Sequence, residues 1–386
     1  GWDWALSLVD NSVGSIQLSQ ASIKEPLTIK NLDVITDTIN GGTASGRVKW
    51  EIEGHSDEEL FFRWAIPASA PPMGWFDDES LIYRFDVSRE RGMVTIGALA
   101  QQRGRWRINN SGWNSAVDYE AEKTRPRIAI VGDSYIEAQQ VDVEKNFPSV
   151  LTNLAGSNYD VYSFGISGAP LSQYLYMGRH IVEKYDPDVL IFNIVHNDFH
   201  ESLKAVNPSV HWLLLSGDSG SITEIPPQIN YSFTQFSLPK RVLRKSALVR
   251  YLFFNLKVQT LWRKQGRFLV ENHQIEQAVA YILDRMRIEF EGRNILFVMD
   301  APDTIYSDDV DEDVEFLHEL MQSACAEAGL QLLDLTEPMK AAYAIDGLKF
   351  ESPWDGHWNE YGHQFVANAV HNTLNERHML DMQHQF

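Results

Sequence analysis

Gly132-Asp133-Ser134 closes an apolar, β-branched run, Ile128-Ala129-Ile130-Val131. A serine in a small polar turn after such a run is a candidate nucleophile, and it is equally a candidate helix cap. Three further clusters follow: Gly165-Ile166-Ser167-Gly168, His196-Asn197-Asp198 and Asp355-Gly356-His357. Together they contain the parts that acyl transfer needs. Serine is a weak nucleophile at its own pKa and requires an adjacent base. Imidazole titrates near neutral pH, so His357 can take a proton and return it. A carboxylate beside it, Asp355, would fix the tautomer and stabilise the imidazolium. A tetrahedral intermediate needs fixed donors, and the backbone N–H groups of Ser134 and Gly168 and the side-chain amide of Asn197 are suitable. In an extended segment residues i and i+2 point the same way, which puts Asp355 and His357 on one face.

The elements that must position these clusters read as an α/β alternation. Strands are expected at 128–131, 160–164, 189–195, 294–299 and 330–335, each a short run rich in apolar residues. Helices are expected between them. Asn146 can cap one whose early Pro148 suits a first turn. Others are expected at 171–185, 275–290 and 314–328, the last closed by Gly329, and a final helix from Glu360 to about 374 with Asn359 as its cap. Such alternation implies a doubly wound parallel sheet covered by helices on both faces. In that sheet the strand ends face one edge, so the four clusters can converge. Asp133 could orient the nucleophile turn or serve it structurally, and His363 reads as a packing or surface residue rather than a second base.

Residues 1–105 read differently. Short alternating segments around 27–29, 34–36, 47–52, 59–66 and 81–87, separated by turn signals, suggest a sandwich-like β-rich accessory domain. Trp50, Trp64 and Trp75 could stack a sugar or fill a core. The boundary is placed near 105, leaving 106–386 as the chemistry-bearing domain. Residues 199–272 interrupt its rhythm as an insertion. The basic amphipathic stretch at 239–252 within it reads as a surface helix, with a lid or a membrane-surface contact as the functional alternative. Trp354 and Trp358 either wall the acyl pocket or pack their loop.

Composition bounds the partners. The 386 residues are 44% apolar and carry a formal net charge of −20, which argues against nucleic acid as a partner. The single cysteine, Cys325, excludes a disulfide framework and a cysteine-rich zinc site. His196 and His200 have the spacing of a helical metal pair, but no Glu follows His196 and no third ligand is evident, so no metal is expected. No apolar stretch reaches the length of a membrane span. The chain opens on Gly1, which leaves room for a targeting or anchor segment ahead of it.

The ordered set of clusters resembles the SGNH/GDSL hydrolase family. Gly132-Asp133-Ser134 is similar to its nucleophile block, Gly168 to its glycine block, Asn197 to its asparagine block, and Asp355 with His357 to its last block. The resemblance covers 128–374. It implies a flavodoxin-like three-layer α/β/α sheet, metal-independent and cofactor-free ester chemistry, a triad of Ser134, Asp355 and His357, and an oxyanion hole of Ser134, Gly168 and Asn197. The last block is often Asp-x-x-His in the family. The shorter Asp-x-His here is similar to branches that handle polysaccharide O-acetyl groups, although alginate acetyltransferase-type members place the pair before the serine. Val195 stands where a glycine is usual, two residues before the asparagine. The expected function is hydrolysis of an O-acyl ester, acetyl above all, on a glycan or another small ester, in an extracytoplasmic setting. Transfer of the same acyl group to a sugar hydroxyl, or glycan binding on a retired hydrolase fold, are the alternatives.

Overall fold

The computed structural model describes residues 29–40, 43–52, 58–65, 69–77, 79–88, 90–97, 100–203, 209–216, 221–228, 246–258, 270–307 and 309–380. The chain divides into two units. One is drawn from 1–69, 95–101 and 242–261, the other from 70–94, 102–241 and 262–386.

In the first unit, β1 (Ile29–Asn40), β2 (Thr43–Ile52) and β3 (Glu58–Ala65) form an antiparallel sheet in that order. Leu32 pairs with Trp50 and Ala44 with Trp64. The expected segments around 34–36 and 47–52, and 59–65 of the next, lie in this sheet. The side chains of Trp50, Trp64 and Trp75 lie outside the described residues, as does the first half, 239–245, of the basic stretch at 239–252. Three distant pieces of the unit meet through buried polar groups. Ser69 N donates to Asn255 Oδ1 at 3.1 Å, Asn255 Nδ2 donates to Thr95 Oγ1 at 2.9 Å, and Thr95 N donates to Ser69 Oγ at 3.2 Å. Each group is buried, and each satisfies another.

The boundary therefore falls elsewhere than near 105. β4 (Gly74–Phe76) and β5 (Tyr83–Phe85) form a hairpin that belongs to the second unit. The reason is apolar burial. Ile82 joins the main core of the second unit, and Phe85 packs with Trp106 of β7 (Gln102–Arg107) and with Ile108. In sequence β6 (Arg91–Ile96) comes between β5 and β7, and it pairs with β7.

The second unit is built on a five-stranded sheet. Its strands are β8 (Arg127–Gly132), β9 (Asp160–Gly165), β10 (Val189–Ile194), β13 (Asn294–Met299) and β14 (Gln331–Asp334), ordered β9-β8-β10-β13-β14 and all parallel. This is the flavodoxin-like order, with its topological switch between β8 and β10. Strand residues alternate between two cores. Ala129 and Val131 face α3 (Leu171–Tyr185), α6 (Asn272–Glu289) and α7 (Glu312–Ala328). Ile128 and Ile130 face α2 (Phe147–Ala155), α8 (Thr336–Asp346) and α9 (Glu360–Glu376). Burial on both faces explains why β8, β10 and β13 read as nearly unbroken apolar runs.

Local chemistry sets the helix ends. Asn146 Oδ1 accepts from Ser149 N at 3.0 Å and Asn359 Oδ1 from Gly362 N at 2.9 Å, caps worth about 1 kcal/mol each. Gly329 ends α7 in the left-handed region, as expected. β11 (Trp212–Ser216) and β12 (Ser221–Ile225) form a hairpin, Leu213 reaches the main core, and a helical turn, α5 (Ala247–Arg250), follows. Two short helices complete the set, α1 (Ser134–Glu137) and α4 (Asn197–Glu201), each directly behind a central strand.

Close packing of α1 against the strand ends dictates two glycines. A Cβ on Gly165 would fall onto the backbone nitrogen of Glu137, and one on Gly132 would meet Ile136 and lie 3.3 Å from the Cβ of Asn193. Backbone cannot yield as a flexible side chain can. Gly165→Ala is expected to lower the unfolding free energy by about 2–4 kcal/mol. Urea denaturation measures this as a fall in midpoint with an unchanged slope. A midpoint like that of the unsubstituted protein would contradict the close approach.

Candidate active site

Ser134 is the first residue of α1, immediately beyond β8 and at the sheet's switch point. Asp133 caps this turn, its Oδ1 accepting from Tyr135 N at 2.9 Å. So the helix-cap reading and the nucleophile reading attach to adjacent residues, Asp133 and Ser134 respectively. Ser134 Oγ lies 2.8 Å from Nε2 of His357 and 3.1 Å from Oδ2 of Asp133. A hydroxyl carries one proton, so these contacts are alternative destinations for it.

His357 comes from the loop before α9. Its Nδ1 faces Asp355 Oδ2 at 3.5 Å, an ion-pair distance longer than a hydrogen bond, with no nearer partner among the described residues. A proton on Nδ1 leaves the Nε2 lone pair aimed at Ser134. The pair does not come together through an extended segment, as i, i+2 spacing suggests. It sits in a turn: Gly356 has φ +77°, Gly356 N donates to Ser352 O at 3.0 Å, and Asp355 Oδ1 accepts from His357 N at 3.3 Å. The turn folds the carboxylate back onto its own chain two residues on, a common aspartate habit.

Gly168 and Asn197 follow β9 and β10, the two neighbours of β8, so they flank Ser134 along the sheet edge. Both are exposed. Gly168 has φ +74°, and its N–H has no protein partner among the described residues. Asn197 opens α4. The loop with Val195 in place of a glycine is held by Asp198, whose Oδ2 accepts from Val195 N at 3.0 Å and from Tyr174 Oη at 2.8 Å.

The electrostatic setting is unusual in its buried carboxyls. Burial pushes Asp133, Asp198 and Asp300 above the ordinary carboxylate range and raises Glu137 to about 7. For His357, burial acts downward, but Asp355 and then Asp133 more than offset it, so its pKa lies above the ordinary value.

Several participants escape sequence reading. Tyr135 donates its hydroxyl to Gly356 O at 3.1 Å, and its ring lies 5.0 Å from that of His357, so it ties the serine turn to the histidine loop. Asp300, at the end of β13, accepts from Trp358 Nε1 at 2.8 Å. Trp358 is thus a fully buried anchor, whereas Trp354 is half-exposed. A signal for both could have been read only from three-dimensional neighbours.

His196 does not pair with His200. Its Nε2 lies 2.9 Å from Nε2 of His318, whose Nδ1 meets Asp334 Oδ2 at 2.8 Å. Among the described residues no group of three or more His, Cys, Asp or Glu side chains could hold a metal ion. His363 is buried, accepting from Phe147 N at 3.2 Å, which makes it a packing and not a surface residue.

No protein-family model and no curated protein matches the chain. Solved structures similar to it include TesA, at 14% identity and a TM-score of 0.39, covering 65% of this chain and 98% of that one. A member of the lipolytic protein G-D-S-L family from Veillonella parvula DSM 2008 is similar at 12% identity and a TM-score of 0.40, covering 64% and 98%. A carbohydrate esterase family 2 enzyme with a carbohydrate-binding domain, from Corynascus thermopiles, is similar at 11% identity and 0.38, covering 69% of each chain.

Three histidines, His357, His196 and His363, are expected to separate by NMR titration. His357 should titrate above about 6.5, the ordinary imidazole value, and Asp355→Asn should move it down. His196 and His363 should stay neutral until about 4 and about 3, because burial disfavours their charged forms. A His357 midpoint below 6.5 would contradict the Asp355 pairing.

Proposed function

We propose that this chain is a serine-dependent ester hydrolase that removes O-acetyl groups from a carbohydrate through an acyl-enzyme. The observation that carries the reading is the 2.8 Å contact between Ser134 Oγ and His357 Nε2, with Asp355 behind the imidazole. Ser134 Oγ attacks the ester carbonyl carbon while His357 Nε2 takes its proton. The carbonyl oxygen becomes an oxyanion facing the N–H groups of Ser134 and Gly168 and the amide of Asn197. Collapse breaks the bond to the sugar oxygen, which leaves with the proton held by His357. Water then attacks the acetyl-serine, His357 takes one of its protons, and acetate departs as Ser134 Oγ regains a proton. The glycan assignment draws support from the Asp-x-His spacing of the last block.

Hydrolysis of an aryl acetate and release of acetate from an O-acetylated oligosaccharide test this together. Ser134→Ala and His357→Ala should each lower kcat by about 10⁴-fold or more, and Asn197→Ala by about 10²–10³-fold. The rate should rise with pH through the elevated His357 pKa, since only the neutral imidazole is a base. Undiminished turnover in Ser134→Ala would sink the acyl-enzyme. Faster transfer to an added glycan acceptor than to water would instead make the protein an acyltransferase.

A further inference from the structure

Glu137 is the last residue of α1, one helical turn beyond Ser134. Its side chain is 6% exposed and points toward the glycine loop. Oε2 accepts from Ser167 N at 2.7 Å, and Oε1 accepts from Gln139 Nε2. Its backbone is fixed as well: N donates to Asp133 O at 2.9 Å, and O accepts from Asn114 Nδ2 at 2.7 Å. The carboxyl is thus a rigid extension of the turn that carries the nucleophile.

The glycine loop has one degree of freedom that matters. Ile166 N is held by Gly132 O at 3.1 Å, and Ala169 N closes a turn onto Ile166 O at 3.0 Å. Gly168 at φ +74° is the third residue of that turn, as in type II. The two common turns that share this hydrogen bond differ by a flip of the central Ser167–Gly168 peptide, which reverses the direction of the Gly168 N–H. Both residues are exposed, and a Cβ at Gly168 would meet nothing within 4 Å, so packing does not oppose the flip. Glycine at the third position favours the type II direction, and the clamp on Ser167 N, whose orientation both turns share, sets where the turn sits relative to Ser134.

We propose that Glu137 is a positioning residue that fixes the Gly168 N–H as an oxyanion donor by clamping Ser167 to the nucleophile turn. The inference rests on the esterase reading above. It makes the acceptor oxygen's position decisive, more than its charge. One carboxyl spans both halves of the site, so the nucleophile and the donor are set from a single turn.

Steady-state kinetics on an aryl acetate with Glu137→Gln and Glu137→Asp test it, thermal melting confirming that each variant folds. Glu137→Gln keeps an oxygen at the Ser167 N–H, and Gln139 can turn its amide to match. It should retain kcat to within about tenfold, the loss coming from the missing charge assistance. Glu137→Asp withdraws the oxygen by one methylene and should lose about 10²–10³-fold in kcat, the value of one oxyanion donor. KM should move less than about threefold in both. Aspartate equal to or better than glutamine, or no loss in either, would overturn the proposal. Should Glu137→Asp not fold, Gly168→Ala supplies the second arm. Combined with Glu137→Gln, it should fall no further than Gly168→Ala alone, because both act on one turn. Losses that multiply would count against it. The esterase reading fails separately, and this proposal with it, when hydrolysis by the unsubstituted protein does not depend on Ser134.

Discussion

The contact between Ser134 Oγ and His357 Nε2 joins residues 223 apart in sequence, and most of the second unit serves to hold it at 2.8 Å. Neither residue is held by its own element alone. Ser134 stands on a single helical turn, too short to be stable by itself. That turn exists because Asp133 caps it and because two glycines let it lie against the ends of β8 and β9. His357 stands in a loop whose footing is Trp358, fully buried and hydrogen-bonded to Asp300, with the Asn359 cap starting α9 directly after it. Tyr135 then links the two sides. The geometry is the sum of several modest restraints converging on one proton path.

The carboxyls around that path follow from the architecture. Parallel strands bring their polar ends to one edge, and helices cover both faces, so acidic groups at the edge become buried. Asp133, Asp198 and Asp300 all have their pKa values raised by burial. Each also accepts a backbone or side-chain N–H or O–H that orients a piece of the site. Burial thus disfavours their charge while their hydrogen bonds keep them ordered. His357 faces the opposite balance, because Asp355 and Asp133 stabilise its charged form against burial. Its imidazole is consequently more basic than a free one, as the proposed role of accepting a serine proton asks.

Much of this was legible in the sequence, for physical reasons. Strands β8, β10 and β13 are buried on both faces, so their apolar runs stand out: the structure places β13 at Asn294–Met299, as expected. Asn146, Asn359 and Gly329 announce helix ends because capping chemistry is local. What sequence did not reveal depends on distant partners. Glu137 meets Ser167 thirty residues on, and His196 meets His318 at a separation of 122, pairings no local pattern encodes. Helix α8 was hidden because Pro338 punctuates it, although a proline in the first turn is tolerated. The domain boundary was misplaced because the β4–β5 hairpin looks like the β-rich segment before it but buries Ile82 in the α/β core.

The central claim is that Ser134 becomes covalently acylated. Mixing the protein with an aryl acetate, quenching in acid within the first turnovers and mapping peptides by mass spectrometry tests this directly. The account predicts one acetyl group on the peptide containing Ser134, forming ahead of steady-state product and lost in Ser134→Ala. Hydrolysis that proceeds with no acetyl group on Ser134 would contradict it.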